Sequence, residues 1–168
     1  FGFRILEPET GLLACGKIGK GKMPEPQAIF EFIENEISFE KDFLGKKILV
    51  TAGPTQEAID PVRFITNHSS GKMGYAIAKI AAARGAQVTL ISGPVSLNPP
   101  QNAKTIKITN AKEMLEAVKE NFPDSDIVIK SAAVADFRPK NISAEKIKKT
   151  GEEISIELER TDDILAFL

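Results

Sequence analysis

The sequence predicts an α/β fold, a parallel sheet with helices on both faces, preceded by a short loop-plus-helix tail. Three observations predict it. Apolar runs and helical patterns alternate from residue 47 onward, and strand–helix–strand–helix–strand order demands parallel strands with crossovers packed on both faces. The first run, "KKILVTAGPT", is continuously apolar at Ile48, Leu49 and Val50 and is closed by Gly53-Pro54, as a strand buried on both faces requires. Finally, 168 residues at 42% hydrophobic and 27% charged content suffice for one soluble core of ordinary size. The arrangement is Rossmann-like.

Residues 1–26 are rich in glycine and proline, show no clean period and read as loop. "PQAIFEFIENEI" has helical spacing at Ala28, Ile29, Phe32, Ile33 and Ile37, with Pro26 at its start. Segment 38–46, "SFEKDFLGK", reads as a linker. After the first strand, "SSGKMGYAIAKIAAARGA" predicts a helix of small residues from Ser69, ending at Gly85. "QVTLIS" is the next strand, "GPVSLNPP" a loop and "KTIKIT" a further strand. "AKEMLEAVKENF" is amphipathic, with Met114, Leu115, Val118 and Phe122 on one face. "SDIVIKSAAVAD" is a strand running into a small-residue turn. "NISAEKIKKTGEE" reads as a charged, mobile segment. "ISIELER" alternates as a strand does, and "TDDILAFL" opens a helix capped by Thr161 or Asp162. No repeat or low-complexity tract is visible.

Several functional classes are disfavoured. A net charge of −1 argues against a general nucleic-acid binder. No apolar run approaches the roughly 20 residues that span a bilayer. The start, "FGFRILEPETG", is not a signal peptide, and without an initial Met the chain reads as a fragment or a processed piece. A single cysteine excludes an internal disulfide and fits a reducing cytoplasm. One Cys and one His are too few for a structural zinc site.

In parallel sheets ligands bind outside the carboxyl ends of the strands. The three loops expected there, 51–71, 92–100 and 131–150, hold most of the unusual chemistry. "TAGPTQEAIDPVRFITNHSSGKMG" fails as a dinucleotide fingerprint, because no G-x-G-x-x-G joins strand to helix. It fails as a Walker loop, because Met73 follows Gly71-Lys72. Ser69, Ser70 and Gly71 nevertheless stand at the predicted helix start, where free N–H groups and the helix dipole favour an anion. An ordinary serine cap on a tightly packed helix explains the same residues. His68 titrates near neutrality, but a lone histidine beside a cap is more often a structural hydrogen-bonder. Asn67 offers both donor and acceptor.

In "SAAVADFRP" the small residues Ser131 to Ala133 allow a flat ring to lie on the backbone, and Asp136 offers an acceptor; a tightly packed strand end is the plain alternative. "EKIKK" brings Lys146, Lys148 and Lys149 together, as a solvated face or as an electrostatic clamp. Cys15, flanked by glycine, is either a small buried hydrophobe or an accessible thiol.

Taken together, "KKILVTAGPTQEAIDPVRFITNHSSGKMGYAIA", "TLISGPVSL", "AAVADFRP" and "EKIKK" closely resemble phosphopantothenate–cysteine ligases, and "ACGKIGKGKMPEP" is similar to the end of the phosphopantothenoylcysteine decarboxylase half that precedes the ligase in bifunctional coenzyme A biosynthesis proteins. The resemblance implies a tail of a separate flavoprotein domain at 1–37, a linker at 38–46 and a C-terminally incomplete ligase domain at 47–168. It implies CTP-dependent joining of 4′-phosphopantothenate to cysteine through an acyl-cytidylate, with Mg²⁺ and, in the intact protein, FMN-dependent decarboxylation. Asn67 would hold the acyl-cytidylate, with Ser69, Ser70 and Gly71 at the phosphate end. Lys130, Ser131, Ala132 and Asp136 would contact the cytidine and Lys146 would reach the nucleotide. Asp162, Asp163, Ile164 and Leu165 match a later nucleotide-contacting turn, where "TDDI" departs from the family's usual Asn-Pro-Asp. Cys15 matches the proton donor of the decarboxylase, although the histidine and asparagine motif of that site are not in this sequence. A homo-oligomer is implied, dimeric through the ligase and trimeric through the decarboxylase, in the cytoplasm.

Two rivals come from other classes. A Rossmann-type NAD(P) oxidoreductase is disfavoured because "TAGPT" lacks the second glycine and no acidic residue ends "QVTLIS". A non-catalytic assembly domain is disfavoured by the polar loops at the strand ends.

Overall fold

The computed structural model describes residues 5–149, 151 and 153–168, with the backbone alone for residue 35. Residues 1–4 of the opening stretch, and Thr150 and Glu152 of the charged segment, lie outside the described residues. The chain forms two compact units, Phe1–Glu40 and Lys41–Leu168.

The first unit corrects one expectation. Within the stretch read as loop, β1 (Glu9–Leu12) pairs antiparallel with β2 (Ile18–Lys22), Leu12 opposite Ile18. Leu13 N–H donates to Lys17 O and Gly16 N–H to Leu13 O, both at 2.9 Å, closing the turn. Periodicity reports burial, and this hairpin buries little: Leu12 and Ile18 are 71% and 80% exposed. Backbone pairing alone leaves no hydrophobic alternation to read. The helix α1 (Pro26–Ile37) follows, with proline in its first turn as expected.

The second unit runs β3 (Lys47–Ala52), β4 (Gln56–Ala58), β5 (Phe64–Thr66), α2 (Lys72–Ala83), β6 (Gln87–Ser92), β7 (Ala103–Lys107), α3 (Ala111–Asn121), β8 (Ile127–Lys130), β9 (Phe137–Pro139), β10 (Leu158–Arg160) and α4 (Ile164–Phe167). The central sheet has the order β7-β6-β3-β8, all parallel, with Ile48 opposite both Val88 and Ile127. Its earliest strand is interior. The chain winds outward to β7 and then returns to the other side of β3, so the switch point lies between β3 and β8.

Successive side chains of β3 feed two cores, as a strand with a two-residue period must. Ile48, Val50 and Ala52 pack with Tyr75, Ala78 and Ala81 of α2, while Leu49 and Ile91 pack with Met114, Leu115 and Val118 of α3. Leu49, Val50, Ile91, Met114 and Val118 are fully buried, each contributing roughly 1.5–3 kcal/mol relative to exposure. The small residues of α2 bring it close to β3. A Cβ on Gly74 would stand 2.5 Å from Ala52 Cβ and 3.1 Å from Thr51 O. The start of α3 is held from β4, where the buried Glu57 accepts the Ala111 N–H at 2.9 Å.

Four boundaries differ from expectation. The stretch after β3 contains the β4–β5 hairpin, Gln56 opposite Thr66. Helix α2 starts at Lys72, not Ser69: Gly71 precedes it with φ +73 and no side chain caps it. A Cβ there would meet the Val95 side chain at 2.9 Å, so a residue with a side chain at this left-handed position is both strained and crowded. "ISIELER" yields only β10, which pairs antiparallel with β9 outside the main sheet. Asp163, not Thr161 or Asp162, caps α4, its Oδ1 accepting from Leu165 N at 2.8 Å and Ala166 N at 3.2 Å. Thr161 is drawn away because its hydroxyl donates to Ala135 O at 2.6 Å.

Candidate functional site

Beyond their ends, β3 and β8 stay together. Ser131 N–H donates to Thr51 O at 3.1 Å, Ala133 N–H to Gly53 O at 2.8 Å and Thr55 N–H to Ala133 O at 3.2 Å. Side chains reinforce the seam. Buried Thr51 offers Oγ1 to the N–H groups of Ser131 and Ala132, each at 3.3 Å. Buried Thr55 offers Oγ1 to Ala135 N–H at 3.0 Å, and its carbonyl accepts the Thr66 hydroxyl at 2.7 Å. Asn67 Nδ2 donates to Ala133 O at 3.3 Å and Val134 O at 3.2 Å. Two carbonyl acceptors fix which end of the Asn67 amide faces the turn. Threonine suits these positions because its branched Cβ fits a strand while its hydroxyl satisfies turn amides that have no strand partner.

That turn borders a cavity of about 560 Å³, within the usual size range of small-molecule sites. Of the residues expected at a nucleotide, Lys130, Ala132, Asp136, Asp162, Asp163 and Ile164 line it. Phe137, Arg160 and Thr161 also line it, and sequence reasoning missed them. Arg160 had a readable signal, as a cation closing an alternating strand directly before "TDD". Its partner strand was not foreseeable without the β9–β10 pairing. Thr161 ties the two walls together, its N–H donating to Asp136 O at 3.0 Å and its hydroxyl to Ala135 O. The walls therefore carry two cations, Lys130 and Arg160, against three carboxylates, one of which is committed to capping α4.

Other expected residues stand elsewhere. Asn67 braces the turn without lining the cavity. Ser131 is not in the lining, and its Oγ is buried without a hydrogen-bond partner among the described residues. Ser69 Oγ accepts from Gly71 N–H at 3.4 Å, and Ser70 is exposed. Leu165 is 66% exposed. Lys146 is exposed on a loop whose next residue, Ile147, is bonded through its backbone N–H and C=O to the side chains of Asp60 and Arg63. His68 is exposed and makes no hydrogen bond or ion pair among the described residues, so the scaffold role expected of it is not what the fold assigns. Cys15, in the other unit, is exposed in the β1–β2 turn, which excludes the buried-hydrophobe reading. Among the described residues no three His, Cys, Asp or Glu side chains group to hold a metal ion. No helix among them is long and apolar enough to cross a membrane.

Fold and site together define a doubly wound α/β domain with a polar cavity outside the carboxyl ends of its strands, beside the switch point. The chain belongs to the DNA/pantothenate metabolism flavoprotein C-terminal domain family, whose model matches residues 43–168. It is 49% identical over 165 residues to the coenzyme A biosynthesis bifunctional protein CoaBC of Haemophilus influenzae, covering 98% of this chain and 41% of that protein. The CoaBC of Bacillus subtilis is 51% identical over 167 residues, with the same coverage. The chain thus spans about two fifths of the length of these curated relatives. A crystal structure of the C-terminal domain of CoaBC superposes with a TM-score of 0.66 at 54% identity, covering 74% of this chain and 58% of that one.

Proposed function

We propose that residues 47–168 carry the nucleotide-activating part of a phosphopantothenate–cysteine ligase, joined through a linker at 38–46 to the C-terminal tail, 1–37, of a flavin-dependent decarboxylase. The observation that carries the reading is the cavity at the β3–β8 switch point, with Lys130 and Arg160 on its walls and Asp136 beside a small-residue turn. Its volume suits a nucleotide, its cations suit phosphate oxygens, and Ala132 leaves room for a flat base on the backbone. Membership of the family and the CoaBC relatives support the same reading.

In this account the carboxylate of 4′-phosphopantothenate attacks the α-phosphorus of CTP. The bond to pyrophosphate breaks and an acyl-cytidylate forms. The amine of cysteine then attacks the acyl carbon, expelling CMP and giving phosphopantothenoylcysteine. No protein nucleophile is needed; the chain binds, orients and stabilises charge. Asp136 accepts from the cytidine, next to the backbone of Ser131 and Ala132. Asn67 braces the turn through Nδ2, and its Oδ1, without a partner among the described residues, is left for the acyl-cytidylate. Ser69, Ser70 and Gly71 lie toward the phosphates, and Lys146 adds a cation as negative charge moves onto pyrophosphate. Asp162, Asp163, Ile164 and Leu165 form the outer turn, where Asp163 acts by holding α4. Mg²⁺ bound through phosphate oxygens would neutralise triphosphate charge, and the described residues form no cage of their own for it. In the intact protein FMN would serve decarboxylation, with exposed Cys15 as proton donor, in a cytoplasmic homo-oligomer of ligase dimers and decarboxylase trimers. An NAD(P) oxidoreductase has no comparable support, because residues 53–71 with a hairpin separate β3 from α2 in place of a glycine turn.

Lys146→Gln in the intact protein tests the reading. CTP-dependent ligation is expected to fall by about 10²–10³-fold, as when a transition-state charge partner is removed, with decarboxylation unchanged. Equal loss of both activities would refute the assignment.

A further inference from the structure

We propose that Asp60 and Arg63 are positioning residues that hold the lysine loop in place for the nucleotide, an inference that rests on the ligase reading for its purpose but not for its geometry. Asp60 is 3% exposed, yet it lies in the turn joining β4 to β5. Its Oδ1 accepts the N–H groups of Val62 and Arg63, both at 2.8 Å. Its Oδ2 accepts from the Arg63 side chain through Nε at 3.0 Å and through the terminal nitrogen, and from Ile147 N–H at 3.1 Å. The same guanidinium donates to Ile147 O at 2.9 Å. Both backbone polar groups of Ile147 are therefore held by one ion pair, between buried Asp60 and half-exposed Arg63, 84 to 87 positions away in sequence. A third bond, Ser143 N–H to Ile59 O at 3.0 Å, pins the start of the loop.

The consequence is specific to the lysines. The clamp grips backbone at Ile147 and leaves Lys146 and Lys148 exposed, without hydrogen bond or ion pair among the described residues. A charged loop that had only to be soluble needs no buried carboxylate beneath it. Burying a carboxylate is costly unless it is paired and fully hydrogen-bonded, and this one is. A backbone grip also leaves the side chains unrestricted, so Lys146 keeps its reach while its Cα is held. This lowers the entropy that a free loop would lose on ordering around a triphosphate.

The test uses the intact protein with Asp60→Asn and, separately, Arg63→Gln. Asparagine retains an acceptor for the local N–H groups, so the β4–β5 turn is kept while the ion pair is lost. Two readouts are taken: tryptic cleavage after Lys146, Lys148 and Lys149, mapped by mass, and KM and kcat for CTP in ligation. Both variants are expected to speed loop cleavage by about 10-fold, since cleavage follows the undocked population. KM for CTP is expected to rise by about 10-fold, a misplacement effect read at a temperature well below each variant's unfolding transition, while the melting temperature at neutral pH falls because the paired carboxylate is lost or left without its partner. Unchanged cleavage in either variant overturns the docking. Faster cleavage with unchanged CTP kinetics overturns the positioning role and leaves a merely structural contact. A wild-type protein without CTP-dependent ligation would sink the parent reading alone, and the cleavage readout would still decide the docking.

Discussion

Replacing Thr55 by valine probes the seam between β3 and β8 at the point where structure and proposed function meet. Thr55 is completely buried, and its Oγ1 accepts the Ala135 N–H at 3.0 Å. Valine keeps the volume and the branched Cβ but supplies no acceptor. Ala135 is itself only 6% exposed, so its N–H is left buried and unpaired. An orphaned buried donor costs about 1–3 kcal/mol, and the methyl gained in place of the hydroxyl returns up to about 0.8 kcal/mol. The net loss is about 1–2 kcal/mol, a fall of about 3–8 °C in melting temperature for a unit of this size. Urea unfolding followed by circular dichroism measures it, with an unchanged m-value showing that the unfolded state is unaltered. Thr55→Ser is the control. It keeps the acceptor and the turn, so it should bind CTP as the parent does, whereas Thr55→Val should bind it more weakly. A valine variant within about 0.3 kcal/mol of the parent, with CTP binding unaltered, would refute the reasoning.

Two further outcomes are expected. Gly74→Ala forces a methyl to within 2.5 Å of Ala52 Cβ, so overpacking should destabilise the unit by about 1–3 kcal/mol, measured by chemical denaturation; a neutral effect would mean that α2 moves freely off β3. The hydrogen bond from Arg63, aided by the backbone N–H groups of Val62, Ile147 and Arg63, outweighs burial and holds the Asp60 carboxyl well below its ordinary 3.8. Because the folded pKa is depressed, the stabilisation is fully present above the unfolded value and is lost as pH falls through the folded one. Melting temperatures should therefore drop more steeply below about pH 4 in the parent than in Asp60→Asn; parallel curves would show that this carboxylate is not a source of acid sensitivity.

The central sheet was legible because its physics is local. Ile48, Leu49 and Val50 announce a doubly buried strand, and Met114, Leu115 and Val118 announce the face of α3. The helix stop at Gly85, with φ +94, was readable for the same reason. The short pairings were not: β1–β2 and β4–β5 are small hairpins of largely exposed strands with little hydrophobic alternation to read, and β9–β10 joins strands about 20 residues apart. The site divides along the same line. Lys130 ends, and Ala132 and Asp136 follow, a strand that the sequence marks plainly, whereas Arg160 and Thr161 reach the cavity only through β10. The start of α2 misled for a different reason: Ser69 and Ser70 look like caps, but the helix begins at Lys72 after a left-handed Gly71, where a side chain would crowd Val95. Asp60 raised no expectation: its local bonds to Val62 and Arg63 are those of an ordinary turn, and its bond to the backbone of Ile147 cannot be read from the sequence.

The most direct test of the central claim is hydrogen exchange of the intact protein during titration with CTP and Mg²⁺, with NAD in parallel. The account predicts that CTP slows exchange at residues 131–136 and 160–165, the two walls of the cavity, while NAD leaves both unchanged. Protection by NAD at those segments, with none from CTP, would contradict it.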